Sequence, residues 1–196
     1  QFVNKPIEKT YKTLKQLCFF DLHRLRLWLC CEAEIRLRWG QEIRRMLGVS
    51  EIFCSIQGEG SHTGVPCVFV RLSRCNLRCG YCDTPYSFGA GESVNHDTLM
   101  ERIHSYGVPT VCVTGGEPML HGEHVVELMQ TMVDQQMTVL LETNGTIPLD
   151  DVPREVIRIM DIKTPGALNA EADDARFQKK HLHKPNLTLL LPHDEV

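Results

Sequence analysis

The sequence predicts an α/β protein built from parallel β/α units, and two observations carry this prediction. Short apolar stretches alternate with stretches of helical spacing along most of the chain, which is typical of parallel β/α units. Turns with the sequences GGEP, ETNG and DIKTPG follow three of the apolar stretches. Because ligands bind at the carboxyl ends of the strands in such sheets, we expect these turns to share one site.

The first half of the predicted sheet contains two strands joined by a glycine loop. The stretch 51–56 is strand-like, the loop GEGSHTG follows, and 67–72 (CVFVRL) is rich in residues that favour strands. A cysteine-containing loop then extends to Gly91, and the helical spacing of 97–106 stops at Gly107. We therefore expect the cysteine loop to follow directly on a strand.

The second half continues the alternation of strand and helix. We expect Val126, Met129 and Val133 to lie on one face of a helix, because their spacing is helical. The predicted elements are strands at 110–114, 138–142 and 156–162, and helices at 123–136 and 170–183.

Length and composition indicate an ordinary globular domain. The chain has 196 residues, of which 42% are hydrophobic and 23% charged, enough for a sizeable core. No apolar run approaches the roughly 20 residues that cross a bilayer. The nine cysteines are an odd number and most are scattered singly. With no secretion-signal pattern, we expect reduced thiols and a cytoplasmic location.

Residues 1–45 differ from the rest of the chain in charge. They contain ten Lys and Arg against five Asp and Glu, whereas 46–196 contain eleven against twenty. The first methionine is Met46, directly ahead of the first predicted strand. We therefore expect 1–45 to be non-native upstream sequence and 46–196 to be the functional domain. The alternative is a genuine basic, partly helical extension that contacts an anionic surface. The acidic balance of 46–196 argues against direct binding to nucleic acid.

Three cysteines lie close together in CNLRCGYCDT, at Cys75, Cys79 and Cys82. One interpretation is a zinc site that takes its fourth ligand from elsewhere, such as His181 or His183. The other is an iron–sulfur cluster, because soft thiolates suit such clusters. Three thiolates on a [4Fe–4S] cube leave one iron open for a substrate or cofactor, and we favour this interpretation.

The cysteine spacing, the aromatic Tyr81 and the strand upstream together resemble the radical SAM superfamily. The ordered set SIQGEG, CNLRCGYCDT, VTGGEP, LETNGT and DIKTPG resembles, more narrowly, the 7-carboxy-7-deazaguanine synthase family, from about residue 50 to 166 and faintly at the final HDEV. The resemblance implies a partial, incomplete parallel β/α barrel. Because the family continues with another strand and helix, we expect this chain to be truncated at its C-terminus, with an open sheet edge.

The resemblance also implies a reaction, the conversion of 6-carboxy-5,6,7,8-tetrahydropterin to 7-carboxy-7-deazaguanine with loss of ammonia. This is a step towards queuosine-type tRNA bases. A reduced cluster and S-adenosylmethionine yield a 5′-deoxyadenosyl radical that attacks an inert C–H bond, while the protein positions the partners and excludes water. The implied cofactors are a [4Fe–4S] cluster, S-adenosylmethionine and magnesium. The implied partners are the pterin, a reductant such as flavodoxin or ferredoxin, and a second copy in a homodimer.

Site residues follow from the resemblance position by position. The three cysteines would hold the cluster, and Thr84 would bind magnesium together with oxygens of substrate and water. Gly116 would let the cofactor approach closely, and the planar fork of Arg71 suits a carboxylate. The residues implied for S-adenosylmethionine are Tyr81, Cys82, Asp83, Gly116, Glu117, Asp161, Ile162 and Lys163. Those implied for the substrate are Ile56, Gln57, Gly58, Arg71 and Thr114.

Each of these interpretations has a plainer alternative. Arg71 could form a surface ion pair, Gly116 and Gly145 could be turn glycines, and Lys163 could be a solvated charge at a strand end. At the level of the whole chain, the alternatives are a glycyl-radical activase acting on a protein, a zinc-binding interaction module, and an inactive truncated fragment. The glycyl-radical activase offers no reason for SIQGEG.

Overall fold

The computed structural model describes residues 46–163, 167 and 183–196. The basic segment 1–45 lies outside the described residues, and so does the predicted helix 170–183 apart from His183. Both predictions about these segments therefore stay predictions.

A six-stranded sheet forms the centre of the described fold, with strand order β3-β1-β2-β4-β5-β6. Strands β2, β4, β5 and β6 are parallel, as the sequence predicts. Strand β1 is antiparallel to both of its neighbours, so the sheet is mixed. The chain between β1 and β2 is too short for a parallel crossover, which needs a dozen or more residues. The strands are β1 Met46–Ile56, β2 Pro66–Leu72, β3 Glu92–Asn95, β4 Thr110–Gly115, β5 Thr138–Thr143 and β6 Ile157–Met160.

Strand β3 and the first half of β1 are absent from the sequence prediction. They pair with each other, from Met46 opposite Asn95 to Val49 opposite Glu92. The sequence ESVN has a single apolar residue, so no alternation marks it as a strand. The pairing rests on backbone hydrogen bonds at an edge of the sheet, which a side-chain pattern does not show.

The two longer helices, α1 His96–His104 and α2 Glu123–Asp134, lie close to their predicted positions. The short α3 Asn186–Leu189 has no counterpart in the sequence prediction. The side chain of Asn95 accepts a hydrogen bond from the Thr98 amide and so caps α1. The predicted face of α2 is shifted, because Val126 and Val133 are only partly buried. The buried residues of α2 are Val125, Leu128, Met129 and Met132.

The two faces of the sheet bury different clusters. The outer face packs against α1 and α2 through a large apolar cluster that includes Val70, Val113 and Leu141. The inner face carries a small cluster of Cys67, Phe69, Cys112 and Leu140, beside the partly buried Phe53, Ile157 and Ile159. The rings of Phe53 and Phe69 stack with centroids 5.1 Å apart.

A register shift between Val49 and Glu51 moves β1 from one face to the other. Before the shift, Leu47 and Val49 belong to the outer cluster, whereas Phe53 after it packs on the inner one. An extra residue in a strand has this effect because side chains alternate with a period of two. The shift places Glu51 opposite Arg71.

The C-terminal residues extend the sheet beyond β6. Glu195 forms a parallel bridge with Ile159, its amide donates to the Arg158 carbonyl (2.8 Å), and its carbonyl accepts from the Met160 amide (2.9 Å). The edge expected to be open is therefore paired in part by the HDEV segment. No helix in the described part of the chain is long and apolar enough to cross a membrane.

Candidate functional site

The three cysteines lie in the loop that follows β2, and all three are half-buried. The Cys82 amide donates to the Cys79 carbonyl (3.2 Å), and the Leu77 amide lies 3.4 Å from the Cys75 sulfur. Burial is the main cause that raises the pKa of Cys75 and of Cys79. A bound metal ion reverses this preference, because a coordinated thiol loses its proton.

The donor set of three thiolates in one loop fits an iron–sulfur cluster, because soft sulfur ligands suit such clusters. In a cube each thiolate binds a different iron, so the three sulfurs need not share one centre. The candidate zinc ligand His181 lies outside the described residues.

The GGEP turn packs tightly against the cysteine loop. A Cβ at Gly116 would overlap the Arg74 carbonyl and come within 2.8 Å of the Cys75 Cβ. The neighbouring Gly115 has φ +142°, and a Cβ there would overlap the Leu72 backbone. Both glycines are thus required by contact between the chain's own segments. The cofactor contact predicted for Gly116 stays a prediction beside this structural role.

Glu117 is completely buried and joins two strand ends. One carboxylate oxygen accepts from the Met119 amide (3.1 Å) and the Thr143 hydroxyl (2.8 Å), and the other accepts from the Asn144 amide (2.8 Å). Burial raises the pKa of Glu117, although these hydrogen bonds oppose the shift. The cofactor contact predicted for Glu117 stays a prediction beside these hydrogen bonds, which accompany the complete burial of its side chain.

A network of buried amides ties the cysteine loop to the TNG turn. The Asn144 side chain donates to the side-chain oxygen of Asn76 (3.0 Å), and the Asn76 side chain donates to the Thr146 hydroxyl (2.7 Å). That hydroxyl donates to the side-chain oxygen of Asn144 (2.6 Å). The sequence marked TNG only as a strand-end turn. The signal that could have singled out Asn76 is its position directly after Cys75.

The residues after β6 reach the same place. The Asp161 amide donates to the Thr143 carbonyl (2.9 Å), Lys163 pairs with Asp161, and the Lys163 ammonium lies 5.4 Å from the centre of the Tyr81 ring. The Gly80 amide donates to the carbonyl of Ala167 (2.9 Å). The segments predicted to bind the cofactor therefore meet at one edge of the sheet, beside the cysteine loop.

The remaining residues predicted to contact the cofactor or magnesium are exposed or half-buried. The side chains of Tyr81, Asp83 and Ile162 are exposed, and Thr84 is half-buried. The Thr84 hydroxyl lies 3.8 Å from the Cys82 sulfur, and its carbonyl accepts from Ser87. These contacts place Thr84 next to Cys82, and its magnesium contact stays a prediction.

A polar layer crosses the inner face of the sheet above the small apolar cluster. Arg71 lies opposite Thr114 in the register of β2 and β4. The Thr114 hydroxyl donates to one oxygen of Glu142 (2.7 Å), and the Gln57 amide and Cys112 thiol approach the other (3.3 Å each). The sequence analysis did not assign Glu142 a role, because a strand-end carboxylate has no distinctive pattern.

Arg71 forms an ion pair with Glu51 at 2.7 Å. An ion pair is the alternative role that the sequence analysis gives for Arg71. Tyr86 donates to the same Glu51 oxygen (2.7 Å). The hydrogen bond from Tyr86, followed by that from Arg71, lowers the pKa of Glu51 although burial opposes it. The Arg71 side chain is 17% exposed, so a ligand above the inner face can still meet it. Its substrate contact stays a prediction.

The glycine loop folds over the inner face through Gln57. This side chain is buried, and its carbonyl oxygen accepts from the amides of Gly58 (2.8 Å) and Glu59 (3.2 Å). Backbone hydrogen bonds join Gln57 to Val65 and Gly64 at the neck of the loop. Ile56 is 55% exposed, and Gly58 has open space around it. Of the three predicted substrate residues in this loop, only Gln57 points into the polar layer.

Comparisons with known proteins agree with this geometry. The family model for the radical SAM superfamily matches residues 70–178, more than half of the chain. The 7-carboxy-7-deazaguanine synthase of Koribacter versatilis is 40% identical over 149 residues, which cover 76% of this chain and 62% of that protein. The enzyme of the same name from Chlorobaculum tepidum is 46% identical over 121 residues, covering 62% and 54%. The chain thus spans less than two thirds of the length of these relatives.

A solved structure shares the fold. The crystal structure of QueE from Escherichia coli matches with a TM-score of 0.58 and 23% sequence identity, over 71% of this chain and 66% of that one. At this level of identity the likeness concerns the fold, and it agrees with a partial barrel formed by an unclosed sheet.

Proposed function

The chain belongs to the radical SAM superfamily, and from this premise we propose that it is a 7-carboxy-7-deazaguanine synthase. The proposed reaction converts 6-carboxy-5,6,7,8-tetrahydropterin to 7-carboxy-7-deazaguanine with loss of ammonia. The observation that carries the proposal is the polar layer of Arg71, Thr114 and Glu142 on strands whose ends also hold the cysteine loop. A small polar substrate on this layer would lie next to the cluster site, and the similar synthases supply the substrate class.

The cysteine loop would hold a [4Fe–4S] cluster through Cys75, Cys79 and Cys82, with one iron open for S-adenosylmethionine. When bound, these two groups supply a 5′-deoxyadenosyl radical that removes hydrogen from an unactivated C–H bond. The turns after β4 and β6, including Gly116 and 161–163, would form the walls of the cofactor site. Thr84 would add one oxygen to a magnesium ion that otherwise binds substrate and water.

The polar layer would bind and orient the pterin. The guanidinium of Arg71 uses its Nε for Glu51, and its terminal nitrogens suit the substrate carboxylate. Glu142 already accepts from Thr114 and Gln57, and a carboxylate has further acceptor sites for the N–H groups of a pterin ring. The loop above Gln57 would exclude water, which protects a radical from side reactions.

Anaerobic product analysis tests the proposal. The reconstituted full chain, incubated with carboxytetrahydropterin, S-adenosylmethionine and reductant, should release 7-carboxy-7-deazaguanine and ammonia. About four irons and four sulfides per chain should be bound, and Cys79→Ala should lose the brown chromophore. The matched control is Cys54→Ala, which removes an exposed thiol elsewhere in the described fold. A colourless zinc site that survives Cys79→Ala, or cleavage of S-adenosylmethionine only with a protein partner, would overturn the proposal.

We also propose the wider setting that the family resemblance implies. The enzyme would act in the cytoplasm as a homodimer and take electrons from a protein such as flavodoxin or ferredoxin. Residues 46–196 would form the functional part, and a chain that begins at Met46 should bind cluster as well as the full chain. Loss of folding on removal of 1–45 would make that segment structural and refute its dispensability.

A further inference from the structure

The carboxylate of Glu195 holds the tip of the glycine loop. Both of its oxygens accept from the Ser61 amide (3.0 and 3.2 Å), and one also accepts from the Ser61 hydroxyl (2.6 Å). These hydrogen bonds lower the pKa of Glu195. A charged acceptor with three contacts to one residue is a stronger tie than an ordinary surface hydrogen bond.

The hydrogen bonds between Glu195 and Ser61 join two parts of the sheet that lie far apart. Glu195 pairs with Ile159, and Ile159 pairs with Glu142, so these residues lie in one row across the strands. Residues paired in a row project from the same face, and Ile159 belongs to the inner face. The loop that Glu195 holds leaves β1, which three strands separate from β6. The contact therefore bridges the inner face from one side to the other.

The backbone that carries Glu195 is fixed by its neighbour. The Asp194 carboxylate is fully buried and accepts from the Arg158 amide (2.8 Å) and guanidinium (3.2 Å). On the loop side, Gly60 has φ +65°, and a Cβ there would overlap the Glu195 carboxylate. The loop can approach this closely only because residue 60 is glycine.

We infer that Glu195 is a positioning residue that keeps the glycine loop folded over the inner face, with Gln57 in contact with Glu142. The loop neck is already closed by the backbone hydrogen bonds of Gln57 to Val65 and to Gly64. Its tip at Ser61 has no other hydrogen-bond partner outside the loop among the described residues. The hydrogen bonds of Glu195 thus determine whether the tip of the glycine loop stays over the polar layer. Its effect on substrate binding rests on the proposed function.

Hydrogen exchange of the reconstituted full chain measures how strongly the hydrogen bonds between Glu195 and Ser61 hold the loop, and it requires no catalysis. In Glu195→Ala the Ser61 and Gly64 amides should exchange about tenfold faster, the ratio given by ~1.4 kcal/mol. Glu195→Gln keeps one acceptor oxygen, so its exchange should lie between wild type and Glu195→Ala. Ser61→Ala removes one of the three contacts from the loop side and should produce a smaller increase. Glu155→Gln, which removes an exposed carboxylate elsewhere, should change neither amide.

Steady-state kinetics with the pterin supply the second measurement. Glu195→Ala should raise KM for the pterin about tenfold while kcat and cluster content change little, because a positioning residue touches no reacting atom. Glu195→Gln should restore part of the loss. If Glu195→Ala does not fold, Ser61→Ala carries the same test from the other partner.

The outcomes separate this inference from the proposed function. Unchanged exchange in Glu195→Ala and Ser61→Ala, with the chain folded, would overturn the inference even if product forms. Faster exchange without any product in the wild type would leave the tie standing and refute the proposed function. A loss of kcat and cluster content in place of a rise in KM would show that Glu195 supports the fold in general.

Discussion

The outer and inner faces of the sheet differ in what they contribute. The outer face is a continuous apolar cluster closed by α1 and α2. Among the described residues, the inner-face cluster has four buried apolar members, and above them lies the layer of Arg71, Thr114 and Glu142. Adjacent residues of β4, Val113 and Thr114, project to opposite faces, so a single strand supplies both environments.

On the proposed function, the residues for stability and those for substrate binding alternate within one strand. The apolar area of the outer face provides the hydrophobic driving force for folding. In the inner layer Arg71 and Glu142 are half-buried, whereas Thr114 and Gln57 are buried, and all four side chains are polar. Substitutions on the outer face should therefore lower the free energy of unfolding, and substitutions in the inner layer should lower affinity.

The largest effect on stability is expected at the buried ion pair of Arg158 and Asp194. Arg158 projects to the side opposite Ile159, and its guanidinium also donates to the Val152 carbonyl (3.0 Å). Asp194→Ala should lower the free energy of unfolding by about 3–5 kcal/mol, because it leaves a buried charge unpaired. Urea unfolding measures the change, with the exposed Asp150→Ala as control. A loss below ~1 kcal/mol would mean that water reaches this pair.

Two isosteric substitutions on β4 test the outer face and the inner face separately. Val113→Thr buries a hydroxyl in the apolar outer cluster, where Val113 has no exposed surface. It should lower the free energy of unfolding by about 1–3 kcal/mol and leave pterin affinity per folded molecule unchanged. Urea unfolding and anaerobic pterin titration provide the two readouts. An equal loss in both would break the division between the faces.

Its counterpart, Thr114→Val, removes the hydroxyl that donates to Glu142. Stability should change by no more than ~3 kcal/mol, since a hydrogen bond to a carboxylate contributes about 1.5–3 kcal/mol. Pterin affinity should fall about tenfold, corresponding to ~1.4 kcal/mol. The same titration measures this loss. Normal affinity would remove Thr114 from the substrate site and leave the layer structural.

Arg71 offers a graded test within the inner layer. Arg71→Ala should weaken pterin binding about ten- to a hundredfold, because a hydrogen bond to a charged group contributes ~1.5–3 kcal/mol. Arg71→Lys keeps the charge but loses the fork, so it should fall between Arg71→Ala and wild type. Equal affinity in all three, with cluster content intact, would confine Arg71 to its ion pair with Glu51.

The smallest effect concerns the pH dependence of Glu51. Its pKa is lowered in the folded state, mainly by the hydrogen bond from Tyr86. Its contribution to stability is therefore present above the ordinary glutamate pKa of 4.5 and is lost as pH falls through the lowered pKa. Tyr86→Phe should move the Glu51 pKa upwards, towards that value. NMR titration of the side-chain carboxyl carbon would detect it. An unmoved pKa would assign the shift to Arg71.

The sequence predicted the parallel strands, the two longer helices and the cysteine loop because each has a local pattern. Val113 and Leu141 lie within short apolar runs, and Cys75 within a spaced triad. Strand β3 and the layer partner Glu142 could not be predicted in this way. Their roles depend on pairing and on register between strands, which no single stretch of sequence encodes. The substrate role predicted for the glycine loop came from family resemblance, whereas its hydrogen bonds to Glu195 join residues 134 positions apart.

The amide network between Asn76 and Asn144 also bears on the entropy of ligand binding. With Glu117 it fixes the cysteine loop, the GGEP turn and the TNG turn to one another by buried hydrogen bonds. The conformational entropy of these turns is therefore lost when the chain folds, before any cofactor arrives. A cofactor that enters preformed walls loses less free energy to ordering, and this preorganisation raises its affinity without an added contact.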